Sequence, residues 1–229
     1  INVLKATGVV DEFEHGFSQA IGLENTFATW KARIALYAFC RAIGLGPGDE
    51  VLVPGYTCVM DINPLIYVGA SVRFIDIDPQ TFNADTQSFS AAISNKTKLI
   101  MAQPTYGIPL DMESLMEVAR DRGVWVIEDC CLALGAKYKG KLLGQFGDAA
   151  YWSFQWNKPM TTGLGGMLGT DNQELASKLE QVFTSEGHAP ENLESGVLAL
   201  ERQIHRWFVT PRTAPMARYL FRKLSYRGL

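Results

Sequence analysis

The 229-residue sequence has few of the residues that mark a metal site or a disulfide framework. Its four cysteines form no C-x-x-C pair, and His15, His188 and His205 are widely separated. Zinc sites need such ligands at short, regular spacing, so we expect no metal. Because a disulfide between neighbours such as Cys130 and Cys131 is strained, we expect reduced thiols and a cytoplasmic protein.

An excess of charge and a long apolar run are also missing. The 21 Lys and Arg residues nearly balance the 24 Asp and Glu residues, so no net charge favours nucleic acid as a partner. No apolar run reaches the roughly 20 residues that a membrane-spanning helix needs. The first residues lack both an initiator Met and a signal-peptide pattern, and we therefore expect a fragment of a longer protein.

Between about residues 30 and 185, strand patterns alternate with helical patterns. Helices are predicted over 32–43, 61–67 and 112–122, and strands over 50–54, 71–77, 97–103, 124–127, 149–154 and 166–169. Strands that are apolar on both faces must be covered on both sides, which predicts an α/β fold with a mostly parallel sheet sandwiched by helices. Ligands of such sheets bind at the carboxyl ends of the strands.

The pattern suggests three parts: an N-terminal segment (1–28), a large domain (29–185) and a helical segment (186–229). The last part is basic and aromatic, with helices predicted over 196–208 and 214–226. Such a segment can bind nucleic acid or a membrane surface. Because its residues are spread at helical spacing, we favour packing against a C-terminal small domain or a second subunit.

Candidate catalytic groups follow two of the predicted strands. Asp129 comes at the end of the predicted strand 124–127. Ser153 lies at the end of the predicted strand 149–154, and Lys158 follows it, ahead of a glycine-rich turn at 163–166. Taken singly, such residues are more often a helix cap or a solvated charge. Together they match the needs of pyridoxal phosphate: an amine for its aldehyde, a carboxylate for its ring nitrogen and a cradle for its phosphate. The backbone N–H groups of Ala32 and Arg33 are candidates for that cradle.

These residues lie within stretches that resemble the DegT/DnrJ/EryC1/StrS sugar aminotransferases. The resemblance covers about residues 8–185 and rests on stretches 46–51, 53–58, 74–79, 105–109, 127–130 and 153–158, with Gly165-Gly166. Their order is the specific signal, with Lys158 lying 29 residues after Asp129. The resemblance implies the type I aminotransferase fold, of which residues 29–185 would be the pyridoxal-phosphate-binding large domain.

The resemblance also implies roles for individual residues. Lys158 would form the Schiff base and shuttle the proton, Asp129 would hold the ring nitrogen, and Ser153 would bind the phosphate. The family often stacks an aromatic residue on the ring; Cys58 occupies that position here, and Tyr56 is the candidate substitute. The implied reaction moves an amino group, from glutamate, to a keto group on a nucleotide-linked sugar. The family's active site lies between two subunits, so a homodimer is implied.

Three other positions depart from the family pattern. Leu132 replaces a Gln or His near the cofactor's phenolic oxygen, Leu164 replaces a Glu, and Ala32-Arg33 replaces Gly-Thr or Gly-Arg. These departures keep open an inactive or truncated paralogue that acts as a binding or regulatory subunit. An aromatic amine synthase or a sugar dehydratase on the same scaffold is a further alternative, although the family's dehydratases carry His in place of Lys158.

A dinucleotide-binding site is excluded by position. The glycines at 44, 46 and 48 follow a predicted helix and precede a predicted strand, whereas the dinucleotide motif needs the reverse order.

Overall fold

The structure is a computed structural model that describes residues 8–187 and scattered positions between 196 and 219. The chain divides into two units, residues 1–189 and residues 190–229. The boundaries predicted at residues 28 and 185 stay predictions. The helices predicted over 196–208 and 214–226 lie largely outside the described residues.

The first unit contains a large sheet and a small two-stranded one. Its strands, in chain order, are β1 (Asn25–Thr29), β2 (Glu50–Pro54), β3 (Ser71–Ile75), β4 (Thr97–Ala102), β5 (Trp125–Asp129), β6 (Lys137–Tyr138), β7 (Lys141–Leu142), β8 (Ala149–Ser153) and β9 (Gly166–Thr170). The large sheet has the order β1-β9-β8-β5-β4-β2-β3, and β6 pairs with β7. The pairs among β3, β2, β4, β5 and β8 are parallel, whereas β9 runs antiparallel to both β8 and β1. The predicted mostly parallel sheet is therefore confirmed.

Helices cover both faces of this sheet. They are α1 (Gly8–Ile21), α2 (Ala32–Ala42), α3 (Val59–Tyr67), α4 (Thr86–Ala92), α5 (Met112–Arg122) and α6 (Gln173–Glu186). Alternate residues of one strand enter different core clusters, because side chains alternate across a sheet. On β2, Val51 and Val53 join the cluster of α2 and α6, whereas Leu52 joins the cluster of α1, α4 and α5. Both faces of the central strands are thus buried, as their apolar runs predicted.

Local sequence sets the ends of α5, the helix predicted over 112–122. The side chain of Asp111 accepts the backbone N–H of Ser114 at 3.3 Å and so caps the start of the helix. The helix ends at Arg122 and is followed by Gly123, whose φ of 65° is a left-handed conformation that glycine adopts without steric cost. The predicted bounds are confirmed here because both ends are encoded within a few residues of the helix.

Strand β3 is shorter than the predicted range of 71–77. It pairs with β2 alone, and that pairing runs from Glu50–Ser71 to Pro54–Ile75. After Pro54 the partner chain turns away, so residues 76 and 77 have no ladder to join. The end of this strand is set by its neighbour rather than by its own apolar pattern.

The fold brings the predicted site residues to one edge of the sheet. β5 and β8 are parallel neighbours, with Asp129 paired to Tyr151, so that Asp129 and Ser153 both lie at the carboxyl ends of their strands. Helix α2 begins at Ala32, soon after β1 ends at Thr29. Among the described residues, no helix is long and apolar enough to cross a membrane.

Candidate active site

A cavity of about 330 Å³ opens at the carboxyl ends of β5 and β8. Its lining includes every residue that sequence reasoning assigned to the site: Ala32, Arg33, Tyr56, Cys58, Asp129, Ser153 and Lys158. The volume falls in the range of small-molecule sites. No group of three or more potential metal ligands occurs among the residues that the structure describes.

Asp129 is a buried carboxyl group at the floor of the cavity. It is 7% exposed, and its Oδ1 accepts the backbone N–H of Cys131 at 3.0 Å. Burial raises the pKa of Asp129, while the N–H of Cys131 and the positive charge of Lys158 act in the opposite direction. Lys158 lies in a turn in which its own N–H donates to the carbonyl of Gln155 at 3.0 Å. The two groups therefore interact electrostatically across one cavity.

The start of α2 forms another wall. Its N-cap residue, Lys31, makes no side-chain capping bond, and the first N–H groups of a helix have no partner within the helix. They give that end a partial positive charge, to which the side chains of Lys31 and Arg33 add. The helix approaches the sheet closely at Gly166, where an added Cβ would lie 2.4 Å from the nitrogen of Ala32.

A second buried carboxyl group, Asp61 on α3, also lines the cavity. Its Oδ1 accepts the hydroxyl of Tyr151 at 3.1 Å. Burial, followed by the negative charge of Asp129, raises the pKa of Asp61 to about 8, although Tyr151 and Lys158 oppose this shift. Sequence reasoning missed Asp61; the available signal was a lone acidic residue in the largely apolar segment 59–67.

Aromatic side chains surround the mouth of the cavity. The hydroxyls of Tyr56 and Tyr106 lie 2.7 Å apart, and the ring of Phe82 packs against both. Tyr106 has a φ of 54°, a left-handed conformation that is uncommon for a residue with a side chain. Gln103 ties these loops together, because its amide donates to the carbonyl of Tyr56 at 2.8 Å and to the hydroxyl of Thr105 at 3.1 Å.

Four of the positions that depart from the family pattern line the cavity, namely Ala32, Arg33, Cys58 and Leu132, whereas Leu164 is not among its lining residues. Leu132 lines the cavity and is 42% exposed, so an apolar side chain replaces a hydrogen-bonding one at that wall. Cys58 also lines the cavity and precedes α3 as its N-cap residue. Lys31, Gln103 and Tyr106 line it too, and sequence reasoning had assigned none of them to the site.

Comparison with known proteins identifies the family. The sequence model of the DegT/DnrJ/EryC1/StrS aminotransferase family matches residues 3–199. The chain belongs to this family. The GDP-perosamine synthase of Caulobacter vibrioides is 43% identical over 168 residues, which are 73% of this chain and 45% of that protein. The UDP-N-acetyl-3-dehydro-alpha-D-glucosamine 3-aminotransferase of Acidithiobacillus ferrooxidans is 40% identical over 146 residues, 63% of this chain and 40% of that protein.

Solved structures of similar proteins share the fold. The aminotransferase from Psychrobacter cryohalolentis is 32% identical with a TM-score of 0.75, covering 83% of this chain and 51% of that one. NtdA from Bacillus subtilis, solved with bound PMP, is 31% identical with a TM-score of 0.72, covering 79% of this chain and 40% of that one. The predicted type I aminotransferase fold is confirmed. The chain spans about half the length of the curated relatives it matches.

Proposed function

We propose that this chain is the cofactor-binding part of a pyridoxal-phosphate-dependent aminotransferase. The observation that carries the proposal is the common cavity of Lys158, Asp129, Ser153 and the start of α2. Two similar structures support the choice of cofactor: NtdA was solved with PMP, and a dehydratase from E. coli was solved with hydrated PLP. Family membership supports the choice of reaction.

The residues present fit the chemistry of this cofactor. Asp129 would face the ring nitrogen, because a buried carboxylate beside a cation favours a protonated ring. Ser153 and the N–H groups of Ala32 and Arg33 would hold the phosphate, since the start of a helix is an anion-binding site. Gly166 supports this assignment, because the absence of a Cβ lets the start of α2 lie against the sheet. Lys158 would supply the amine.

The residues of the chain divide the work of amino transfer. Bound pyridoxal phosphate would supply an electron-withdrawing ring that stabilises negative charge at the substrate's α-carbon. Lys158 would bind the cofactor's aldehyde carbon and, once released, move a proton at that α-carbon. Asp129 would keep the ring nitrogen protonated. Tyr56, held by its hydrogen bond to Tyr106, would cover one face of the ring.

For the whole protein we propose an amino-acid donor, glutamate, and a nucleotide-linked keto sugar as acceptor. The names of two relatives support this substrate class: a GDP-perosamine synthase and an aminotransferase of a UDP-linked dehydro-glucosamine. We further propose that the protein works in the cytoplasm as a homodimer, with residues 186–229 leading into a small domain. The four cysteines are free thiols, which supports the proposal of a reducing compartment such as the cytoplasm.

Reductive trapping tests the cofactor assignment. The purified chain is mixed with pyridoxal phosphate, reduced with borohydride and digested, and the labelled peptide is identified by mass spectrometry. We expect the label on Lys158 and no label in Lys158→Ala, because only a deprotonated amine near the bound aldehyde is trapped. The exposed Lys137→Ala is the matched control and should keep the label. Undiminished trapping in Lys158→Ala would refute the assignment. Turnover of glutamate with a nucleotide-linked keto sugar then tests the substrates.

A further inference from the structure

Asp61 is a buried carboxyl group for which the proposed cofactor chemistry has no role. It is 7% exposed and lines the same cavity as Asp129 and Lys158. An isolated charge in such a place is costly, and two buried carboxylates close together cannot both ionise readily. One of the two must therefore hold a proton, and the surrounding groups decide which one.

The groups that act on Asp61 come from several elements around the cavity floor. They are Thr57 before α3, Asp129 at the end of β5, Cys131 after β5, Tyr151 on β8 and Lys158 in the loop after β8. The positive charge of Lys158 acts on both carboxyl groups, so one cation faces two potential anions. A single proton shared within this set would balance its charge.

The hydrogen bonds of the two carboxyl groups differ in a way that assigns the proton. Asp129 accepts a backbone N–H, that of Cys131, which favours its ionised form. Asp61 accepts the hydroxyl of Tyr151, which is fully buried and which, unlike an N–H group, can also accept a hydrogen bond, so a protonated Asp61 keeps its partner. Burial and the negative charge of Asp129 raise the pKa of Asp61 to about 8. The proton therefore belongs on Asp61 rather than on Asp129.

We propose that Asp61 is a positioning residue that stays protonated at neutral pH, so that Asp129 alone presents negative charge to the ring nitrogen of the cofactor. The hydroxyl of Tyr151 acts on both carboxyl groups and links them. A neutral Asp61 neither repels Asp129 nor competes with it for the ring proton. This inference rests on the proposed function for the identity of the cofactor, but the protonation of Asp61 can be measured without any cofactor.

Unfolding of the cofactor-free chain tests the protonation state. Asp61→Asn replaces a neutral acid with a neutral amide of the same shape, and its unfolding constant is compared with that of the wild type across pH. The folded wild type holds a proton that its unfolded chain releases, so its stability falls as pH rises towards the folded pKa of about 8. Relative to Asp61→Asn, the wild type should become about tenfold easier to unfold from pH 6 to pH 7.

Asp129→Asn is the matched comparison: it keeps Asp61 but removes the negative charge that raises the pKa of Asp61, so its loss of stability with rising pH should be complete at a lower pH than in the wild type. Asp61→Ser is a second neutral variant in case Asp61→Asn does not fold. An unfolding ratio that stays constant with pH for both Asp61 variants overturns the proposal. So does an Asp129→Asn variant whose stability falls over the same pH range as that of the wild type, because Asp129 would then place no negative charge beside Asp61.

The cofactor supplies a second readout. In the wild type, the visible absorbance of bound pyridoxal phosphate should change near pH 8, as Asp61 ionises and adds a negative charge beside the ring. That transition should be missing in Asp61→Asn, and its persistence there would overturn the role in positioning. If the wild-type chain takes up no cofactor, the proposed function fails, while the unfolding comparison still decides whether Asp61 carries the proton.

Discussion

Gly166 controls how closely the start of α2 approaches the sheet. It opens β9, where it pairs with Thr29 on one side and Ser153 on the other. An added Cβ would lie 2.4 Å from the nitrogen of Ala32 and 2.7 Å from its Cα. No positive φ is involved at this position, so Gly166→Ala tests the space available rather than the backbone conformation.

The size of the effect follows from that overlap. An ordinary Cβ contact is at least 3.4 Å, so the start of α2 must retreat by about 1 Å. Because the obstructing atoms are backbone, no side-chain rotation relieves the overlap. Overpacking of this kind costs about 1–3 kcal/mol of stability. A shift of this size would also lengthen the hydrogen bonds from Ala32 and Arg33 to the phosphate, and bonds to charged groups contribute about 1.5–3 kcal/mol each.

We therefore expect Gly166→Ala to unfold at lower urea concentration and to bind pyridoxal phosphate at least about tenfold more weakly. Urea unfolding measures the first effect, and titration of the cofactor's absorbance measures the second. Gly16→Ala is the control: it is exposed on α1 with open space around it, and should gain up to about 1 kcal/mol of stability with unchanged affinity. If Gly166→Ala were less stable but bound the cofactor with unchanged affinity, the phosphate site would not be at the start of α2; unchanged stability would refute the close approach itself.

Two further substitutions test the supports of the site. The buried Glu128 accepts the N–H groups of Gly144, Phe146 and Gly147, each at 2.7 Å. In Glu128→Gln the side-chain amide points an N–H group at one of these backbone N–H groups, so the variant should lose about 2 kcal/mol of stability in urea unfolding. The exposed Glu117→Gln is the control and should keep the stability of the wild type. Equal stabilities of the two variants would contradict this expectation. Gln103→Leu leaves the carbonyl of Tyr56 without its amide donor and should cost about 2 kcal/mol as well as weaken cofactor binding. An unchanged cofactor titration would show that the aromatic mouth needs no such support.

The elements with strong local signals were predictable. Strand β2 has the predicted bounds of 50–54, and α5 has those of 112–122, because apolar runs and caps act within a few residues. The antiparallel strand β1 and the helices α1, α4 and α6 had not been predicted. β1 lies at the edge of the sheet, and its first residues are only partly buried, so its apolar pattern is weak. Its partner strand, β9, lies about 140 residues further along the chain.

The residues of the candidate site also include some that were predictable from the sequence and some that were not. Asp129, Ser153 and Lys158 were predictable because they follow strands whose apolar runs are plain in the sequence, and parallel strands bring their carboxyl ends to one edge. Asp61 and Lys31 were not, because each reaches the cavity only through the packing of its helix. Nothing local distinguishes Lys31 from an ordinary surface charge, and the one local signal for Asp61 was its place in a largely apolar segment.

By itself, then, the sequence determined the alternation of strands and helices and the chemical groups at the strand ends, since both depend on interactions between residues close in the chain. Tertiary structure alone decided the strand order, the contact of Gly166 with the start of α2, and the pairing of Asp61 with Asp129. These features depend on which distant segments become neighbours and on how much water their packing excludes. The same packing raises the pKa of both carboxyl groups, because it removes them from water.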